Sequence, residues 1–169
     1  MIRYADILTD SIVDGPGIRV VTFLQGCPRV CPGCHNQELL DPYGGKEIEE
    51  RDLAKEILRK VSPRHNGITF SGGDPLLQHE NLLKVITYLK KRRPELNIWL
   101  YTGYLFEEVK DLPILQLVDV LVDGPYIEAQ KDISLFFKGS LNQRIIDLAG
   151  SFAGDSVVLK TFNNQIKYA

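Results

Sequence analysis

All three cysteines of this 169-residue chain fall in the run Gly26-Cys27-Pro28-Arg29-Val30-Cys31-Pro32-Gly33-Cys34-His35-Asn36. Three thiolates on one loop suit an iron–sulfur cluster held one ligand short of full coordination. Clusters with four cysteines have every iron saturated and serve mainly in electron transfer. A metal site that keeps a position open is usually catalytic, a logic best documented for zinc. An iron without a protein ligand can bind a group that then reacts, so the spacing points to cluster-dependent radical chemistry. A zinc site is the plainer alternative, but typical structural zinc sites draw ligand pairs from two separated segments. No second pair exists here, and His35 follows Cys34 too closely for easy joint ligation. His65 and His79 stand alone and read as surface residues. A redox-sensing cysteine pair would not need the third thiol.

Two further segments carry candidate chemistry. Gly72-Gly73-Asp74-Pro75 reads first as a strand-to-helix turn, with Asp74 as the N-cap and Pro75 at the first helical position. The same geometry can serve a ligand: bare glycine backbone approaches closely, and a carboxylate complements an ammonium. Asp14-Gly15-Pro16-Gly17-Ile18-Arg19 is a turn by composition. Asp123 before Gly124 reads as a turn aspartate.

These segments need a frame. Val20-Val21-Thr22-Phe23-Leu24, Ile68-Thr69-Phe70, Ile98-Trp99-Leu100-Tyr101 and Val118-Asp119-Val120-Leu121-Val122 read as strands buried on both faces, as in a parallel sheet. Ala54, Ile57, Leu58 and Val61 recur at helical spacing between the first two, and Leu82, Leu83, Ile86 and Leu89 between the next two, with Pro94 as the stop. A weaker helical signal runs from Phe106 to Lys110. Ile145-Ile146 and Val157-Val158-Leu159 are candidate strands in the C-terminal third. Alternation of this kind predicts right-handed βαβ units and an α/β fold. The strands lead into Gly26-Cys27, Ser71-Gly72-Gly73-Asp74, Thr102-Gly103-Tyr104 and Asp123-Gly124-Pro125-Tyr126. Ligands in parallel α/β folds bind outside the carboxyl ends of the strands, so all four segments are expected at one site.

Composition sets outer bounds. With 44% hydrophobic residues the chain has enough apolar material for one core, yet it is short for a closed eight-stranded barrel of about 250 residues. A net charge of −2 and a pI near 5.9 argue against a nucleic-acid partner. No apolar run approaches the ~20 residues that cross a membrane, and the N-terminus lacks a secretory pattern. An odd, clustered set of cysteines is a poor disulfide framework, so a cytoplasmic location is expected.

Cys27-x3-Cys31-x2-Cys34 resembles the motif of radical S-adenosyl-L-methionine enzymes. The resemblance implies that the three cysteines hold a 4Fe–4S cluster whose fourth iron is chelated by the methionyl amine and carboxylate of S-adenosyl-L-methionine. Electron transfer to the sulfonium then breaks a C–S bond and yields a 5′-deoxyadenosyl radical. Gly72-Gly73-Asp74-Pro75 is similar to the Gly-Gly-Glu-Pro element that binds the methionyl amine, with Asp in place of Glu. Asp14-Gly15-Pro16-Gly17-Ile18-Arg19, with Phe23-Leu24-Gln25-Gly26-Cys27 and Cys34-His35-Asn36, is similar to the opening of glycyl-radical-enzyme activases. The segments Ser71-Gly72-Gly73-Asp74-Pro75-Leu76, Trp99-Leu100-Tyr101-Thr102-Gly103-Tyr104, Asp119-Val120-Leu121-Val122-Asp123-Gly124-Pro125-Tyr126 and Lys138-Gly139-Ser140-Leu141-Asn142-Gln143-Arg144-Ile145-Ile146-Asp147 resemble the branch that serves anaerobic ribonucleoside-triphosphate reductases.

That resemblance implies an incomplete (β/α) TIM-like barrel, open on one side, with a mostly parallel sheet. Residues 1–169 would form a single radical domain with a core of about 6–148, and the tail 149–169 matches nothing familiar. Cys27, Cys31 and Cys34 would ligate the cluster, while Gly33, His35, Gly72, Gly73, Asp74 and Asp123 would contact the cofactor. Asp14, Arg19, Thr102 and Tyr104 would help position the substrate, and no catalytic side chain is required beyond cluster and cofactor. The implied partners are a large glycyl-radical enzyme (the reductase) and a flavodoxin-like electron donor, with no nucleic acid and no membrane. Arg29 stands where relatives often carry histidine. The rival readings are an activase of another glycyl-radical enzyme such as pyruvate formate-lyase, a small-molecule radical enzyme such as a deazaguanine synthase, and a noncatalytic zinc-binding interaction module.

Overall fold

A computed structural model describes residues 1–154 and 156–162. Eight strands form one sheet in the order β3-β1-β2-β4-β5-β6-β7-β8. They are β1 (Ile2–Ser11), β2 (Arg19–Leu24), β3 (Lys46–Ile48), β4 (Gly67–Gly72), β5 (Asn97–Tyr101), β6 (Val120–Asp123), β7 (Arg144–Asp147) and β8 (Val158–Leu159). The helices are α1 (Glu50–Lys60), α2 (His79–Arg92), and the short α3 (Phe106–Val109) and α4 (Leu148–Ala153).

The four strands expected from their apolar runs, β2, β4, β5 and β6, lie side by side and parallel. Each carries a nearly continuous buried run, as a strand covered on both faces should. The margins differ from expectation. The pairings β1–β2, β1–β3, β6–β7 and β7–β8 are all antiparallel, so the sheet is mixed rather than mostly parallel. β1 escapes the alternation test because its register shifts between Tyr4 and Asp6, and the buried positions change phase there, from Ile2 and Tyr4 to Ile7.

Side chains separate by face. The row Thr22, Phe70, Leu100 and Leu121 runs across the parallel strands. Phe70, Leu100 and Leu121 join Leu53, Ala54 and Ile57 of α1 and Leu82, Val85, Ile86 and Leu89 of α2 in the main core. Phe106 and Val109 of α3 and Leu148 of α4 belong to the same cluster, so all four helices cover one face. Each fully buried Leu or Ile is worth roughly 1.5–3 kcal/mol of transfer free energy. The opposite row, Val21, Thr69, Trp99 and Val120, faces away from the helices. There Trp99, Val120, Val122 and Ile145 form a second cluster, capped by Tyr101, Phe137 and Phe162. Helices on one face only are the layout of a barrel wall rather than of a doubly wound sheet, although among the described residues β3 and β8 are not joined. Of the tail 149–169, residues 149–154 and 156–162 are described and supply most of α4, the last strand and the aromatic cap Phe162. No helix among the described residues is long and apolar enough to cross a membrane.

Candidate metal and cofactor site

The loop after β2 and the turns after β4, β5 and β6 meet at one cavity of about 260 Å³. Its wall includes Cys27, Cys31, Cys34, His35, Gly72, Gly73, Asp74 and Thr102, together with Arg29, Asn36, Tyr101, Tyr126 and Gln143. Four strand ends thus build one site, as a parallel core dictates. All three cysteines are free and only partly buried. Among the described residues no three Cys, His, Asp or Glu donors converge as a single metal ion would need. The donor set suits a cluster, in which each thiolate binds a different iron. Burial pushes the Cys27 thiol up, and the backbone N–H of Arg29 opposes that shift. A metal held by Cys27 would therefore displace a proton.

The cysteine loop is fastened to the turn after β4 by backbone bonds. Gly73 N donates to Leu24 O at 2.9 Å, Asp74 N to Gly26 O at 2.8 Å, and Gly26 N to Leu39 O at 2.8 Å. Close approach of these backbones explains the glycine pair. A Cβ on Gly72, whose φ is +118°, would lie 2.3 Å from Leu24 O, and one on Gly73 would lie 2.2 Å from Gly26 O. The glycines are thus required by the protein's own chain, whatever ligand they also meet. Asn36 Nδ2 donates to Gly72 O at 2.9 Å and pins the end of the loop.

Asp74 acts as the N-cap expected of it, accepting from Leu76 N at 3.0 Å with Pro75 next in line. It does more than cap. Its buried carboxylate also accepts from Thr102 Oγ1 and, at 3.0 Å, from Gly103 N. Burial raises its pKa, and those three donors together with the nearby Arg29 charge pull it back.

Several expected contacts fall elsewhere. Asp123 is fully buried and does not line the cavity. Its carboxylate accepts from Phe106 N at 2.7 Å and from Arg144 Nε at 2.9 Å, and it pairs again with Arg144 Nη2. Arg144 also bonds Glu107, so Asp123 ties β6 to β7 and to the start of α3. Arg19 is buried at the opposite end of the sheet. It donates to Thr69 Oγ1 at 2.7 Å, Ile68 O at 2.8 Å and Asn97 O at 3.0 Å, and lies over the Trp99 ring. Burial draws its pKa down to about 10, still far above neutrality. Asp14 accepts from Ser11 Oγ at 2.5 Å, and its carbonyl accepts from Thr69 Oγ1. Neither Asp14 nor Arg19 reaches the cysteine cavity; both brace the starts of the strands. Tyr104 stands behind the wall, its ring 4.4 Å from the Arg29 guanidinium carbon. Gly33 turns the loop with φ +73° and lies against the Glu128 carboxylate rather than in the wall. His65 is not a surface residue: its imidazole sits between Ser62 and Asp10 with 2% of the side chain exposed.

Composition alone gave no reason to single out Tyr126, Glu128 or Gln143. Tyr126 packs its ring 5.5 Å from that of His35 and donates to Glu128 at 2.6 Å. Gln143 bonds Gly124 O and Gly139 N, closing the loop between β6 and β7 over the site. The signals available were the runs Gly124-Pro125-Tyr126 and Asn142-Gln143-Arg144.

Residues 13–146 match the family described as a 4Fe-4S single cluster domain, and the chain belongs to it. A relative from Enterobacteria phage T4, named anaerobic ribonucleoside-triphosphate reductase-activating protein, is 38% identical over 146 residues, spanning 85% of this chain and 92% of its own. Proteins of the same name from Haemophilus influenzae and Escherichia coli K12 are 34% and 35% identical, over 85% and 79% of this chain and 96% and 90% of theirs. Within the cluster family, the chain is thus a member of the anaerobic ribonucleoside-triphosphate reductase-activating proteins. Among solved structures, QueE from Escherichia coli aligns with a TM-score of 0.46 at 17% identity, over 60% of this chain and 52% of that one.

Proposed function

We propose that this chain is a radical S-adenosyl-L-methionine activase that installs a glycyl radical on an anaerobic ribonucleoside-triphosphate reductase. The observation that carries the proposal is the meeting of three free cysteines with the Gly72-Gly73-Asp74 turn at one cavity. When bound, a 4Fe–4S cluster and S-adenosyl-L-methionine supply the electron transfer, C–S cleavage and hydrogen-atom abstraction, chemistry that side chains do not provide. Cys27, Cys31 and Cys34 hold the cluster. The Gly72–Asp74 edge takes the methionyl ammonium, and His35, backed by Tyr126, flanks the adenine. Thr102 keeps Asp74 in place. Gly33 shapes the ligand loop without touching the cofactor.

Residues 1–169 form one domain in this reading, an incomplete (β/α) barrel. Support comes from the described residues, whose helices lie on one face and whose terminal strands β3 and β8 are not joined. The unclosed side admits a loop of a large protein. A flavodoxin-like protein provides the electron, and the cytoplasm keeps the three thiols reduced. The test is anaerobic incubation of the reconstituted protein with dithionite, S-adenosyl-L-methionine and the reductase. A glycine-centred doublet in the electron paramagnetic resonance spectrum, with release of 5′-deoxyadenosine, is expected. Cluster-loaded protein that releases none would sink the radical reading, whereas 5′-deoxyadenosine without a radical on the reductase would redirect the partner.

A further inference from the structure

Arg29 lies between Cys27 and Cys31 and forms part of the cavity wall. Its guanidinium makes no hydrogen bond or ion pair among the described residues, and its Nε is buried without a partner. A buried N–H with no acceptor is costly and uncommon. The side chain is nevertheless fixed, because the guanidinium carbon stacks 4.4 Å from the Tyr104 ring centre. The nearby Asp74 carboxylate accepts from Leu76 N, Thr102 Oγ1 and Gly103 N and does not pair with Arg29. The arginine is therefore preorganised toward the cavity rather than consumed by the fold.

Its position relative to Asp74 indicates what it reads. A point one bond above the Cα of Gly103 lies 2.8 Å from Arg29 Nε and 3.6 Å from Asp74 Oδ2. A positive fork and a negative edge thus stand side by side across a residue with no side chain. An α-amino acid end carries ammonium and carboxylate on one carbon and needs that juxtaposition. A planar guanidinium matches a carboxylate through paired N–H donors, which an imidazole cannot do. We infer that Arg29 binds the α-carboxylate of the sulfonium cofactor while the Gly72–Asp74 edge takes its ammonium. This assignment rests on the radical reading above and adds a specificity-determining residue to it.

The experiment compares cluster-loaded wild type, Arg29→Gln and Arg29→Lys by equilibrium dialysis against labelled S-adenosyl-L-methionine and against its carboxamide, in which the carboxylate is a neutral amide. Iron per chain is measured in each protein. Arg29→Gln should weaken binding of S-adenosyl-L-methionine by about 10- to 100-fold, the scale of a hydrogen bond to a charged group. Wild type should lose at least that factor on the carboxamide, the carboxamide penalty should be about 10- to 100-fold smaller in Arg29→Gln, and Arg29→Lys should recover part. Undiminished binding by Arg29→Gln, or two losses that multiply, would overturn the assignment. So would intact cofactor binding with failed activation of the reductase, which would turn Arg29 toward the partner. Because the cofactor carboxylate would also ligate iron, the assignment is read from how far Arg29→Gln shrinks the ratio of the two affinities, and the thermal midpoint and iron content of the variant separate a folding or loading defect from lost binding. Wild type that binds no S-adenosyl-L-methionine would show instead that the radical reading itself has failed.

Discussion

Thr102 Oγ1 lies 2.9 Å from Oδ1 and 3.1 Å from Oδ2 of Asp74, so one hydroxyl at the end of β5 straddles the carboxylate that caps the turn after β4. Both residues are buried, and the bond joins two of the four strand ends that build the site. Thr102→Val should destabilise the cluster-free protein by about 1–3 kcal/mol, the range for an interrupted buried bond to a charged group. Burial raises the Asp74 pKa in the folded state above its ordinary value of 3.8. The stability tied to this group is therefore fully present below the unfolded pKa and declines as pH rises through the folded one. Removing the hydroxyl raises the folded pKa further, so the loss should be large at pH 7 and smaller near pH 4. Urea titrations at both values check it; an equal loss at each would mean that Thr102 does not interact with the charge.

Gly73→Ala should disturb the cysteine loop from a distance. The added Cβ would meet Gly26 O at 2.2 Å and Leu39 O at 2.8 Å, both backbone atoms with little freedom to yield. Overpacking of this kind costs roughly 1–3 kcal/mol, and iron uptake should fall with it. Gly154→Ala, whose new Cβ would lie 3.8 Å from Gly150 O, is the control and should stay within about 0.5 kcal/mol. Equal denaturation midpoints for the two variants would refute the backbone explanation.

Arg144→Leu leaves the fully buried Asp123 carboxylate without its guanidinium. Breaking a buried pair in this way costs about 3–5 kcal/mol, and removing both charges with Asp123→Asn should restore much of it. Denaturation of the two single variants and the double variant measures the coupling. Should Asp123→Asn weaken cofactor binding while leaving stability untouched, its placement as a strut would be wrong.

Cys31→Ala should abolish cluster assembly and cofactor cleavage together. Iron and sulfide content, visible absorption and 5′-deoxyadenosine release report on it. Wild-type colour should also bleach in air, since all three cysteines are only partly buried. A variant that keeps both cluster and cleavage would remove Cys31 from the ligand set.

Local pattern carried some of these results and long-range pairing the others. The apolar runs of β2, β4, β5 and β6 signal strands covered on both faces, and neighbouring parallel strands must end together, so convergence of Cys27, Gly72, Thr102 and Gly124 was legible from the chain. The N-cap at Asp74 and the stop at Pro94 were equally local. The antiparallel margins were not, because the choice between parallel and antiparallel neighbours depends on contacts far apart in the chain, and the shifted register in β1 scrambles its two-residue period.

The cysteine loop and the strand ends that surround it follow from the chain's local pattern, because residue type and spacing act over a few positions. Only the tertiary structure decided which polar groups are spent and which are free. It buries Asp123 against Arg144 and Arg19 against Thr69, while leaving Arg29 Nε without a hydrogen-bond partner among the described residues. The physical reason is that burying a charge demands a partner in space, and partners such as Arg19 and Thr69, 50 positions apart, meet only when the sheet assembles.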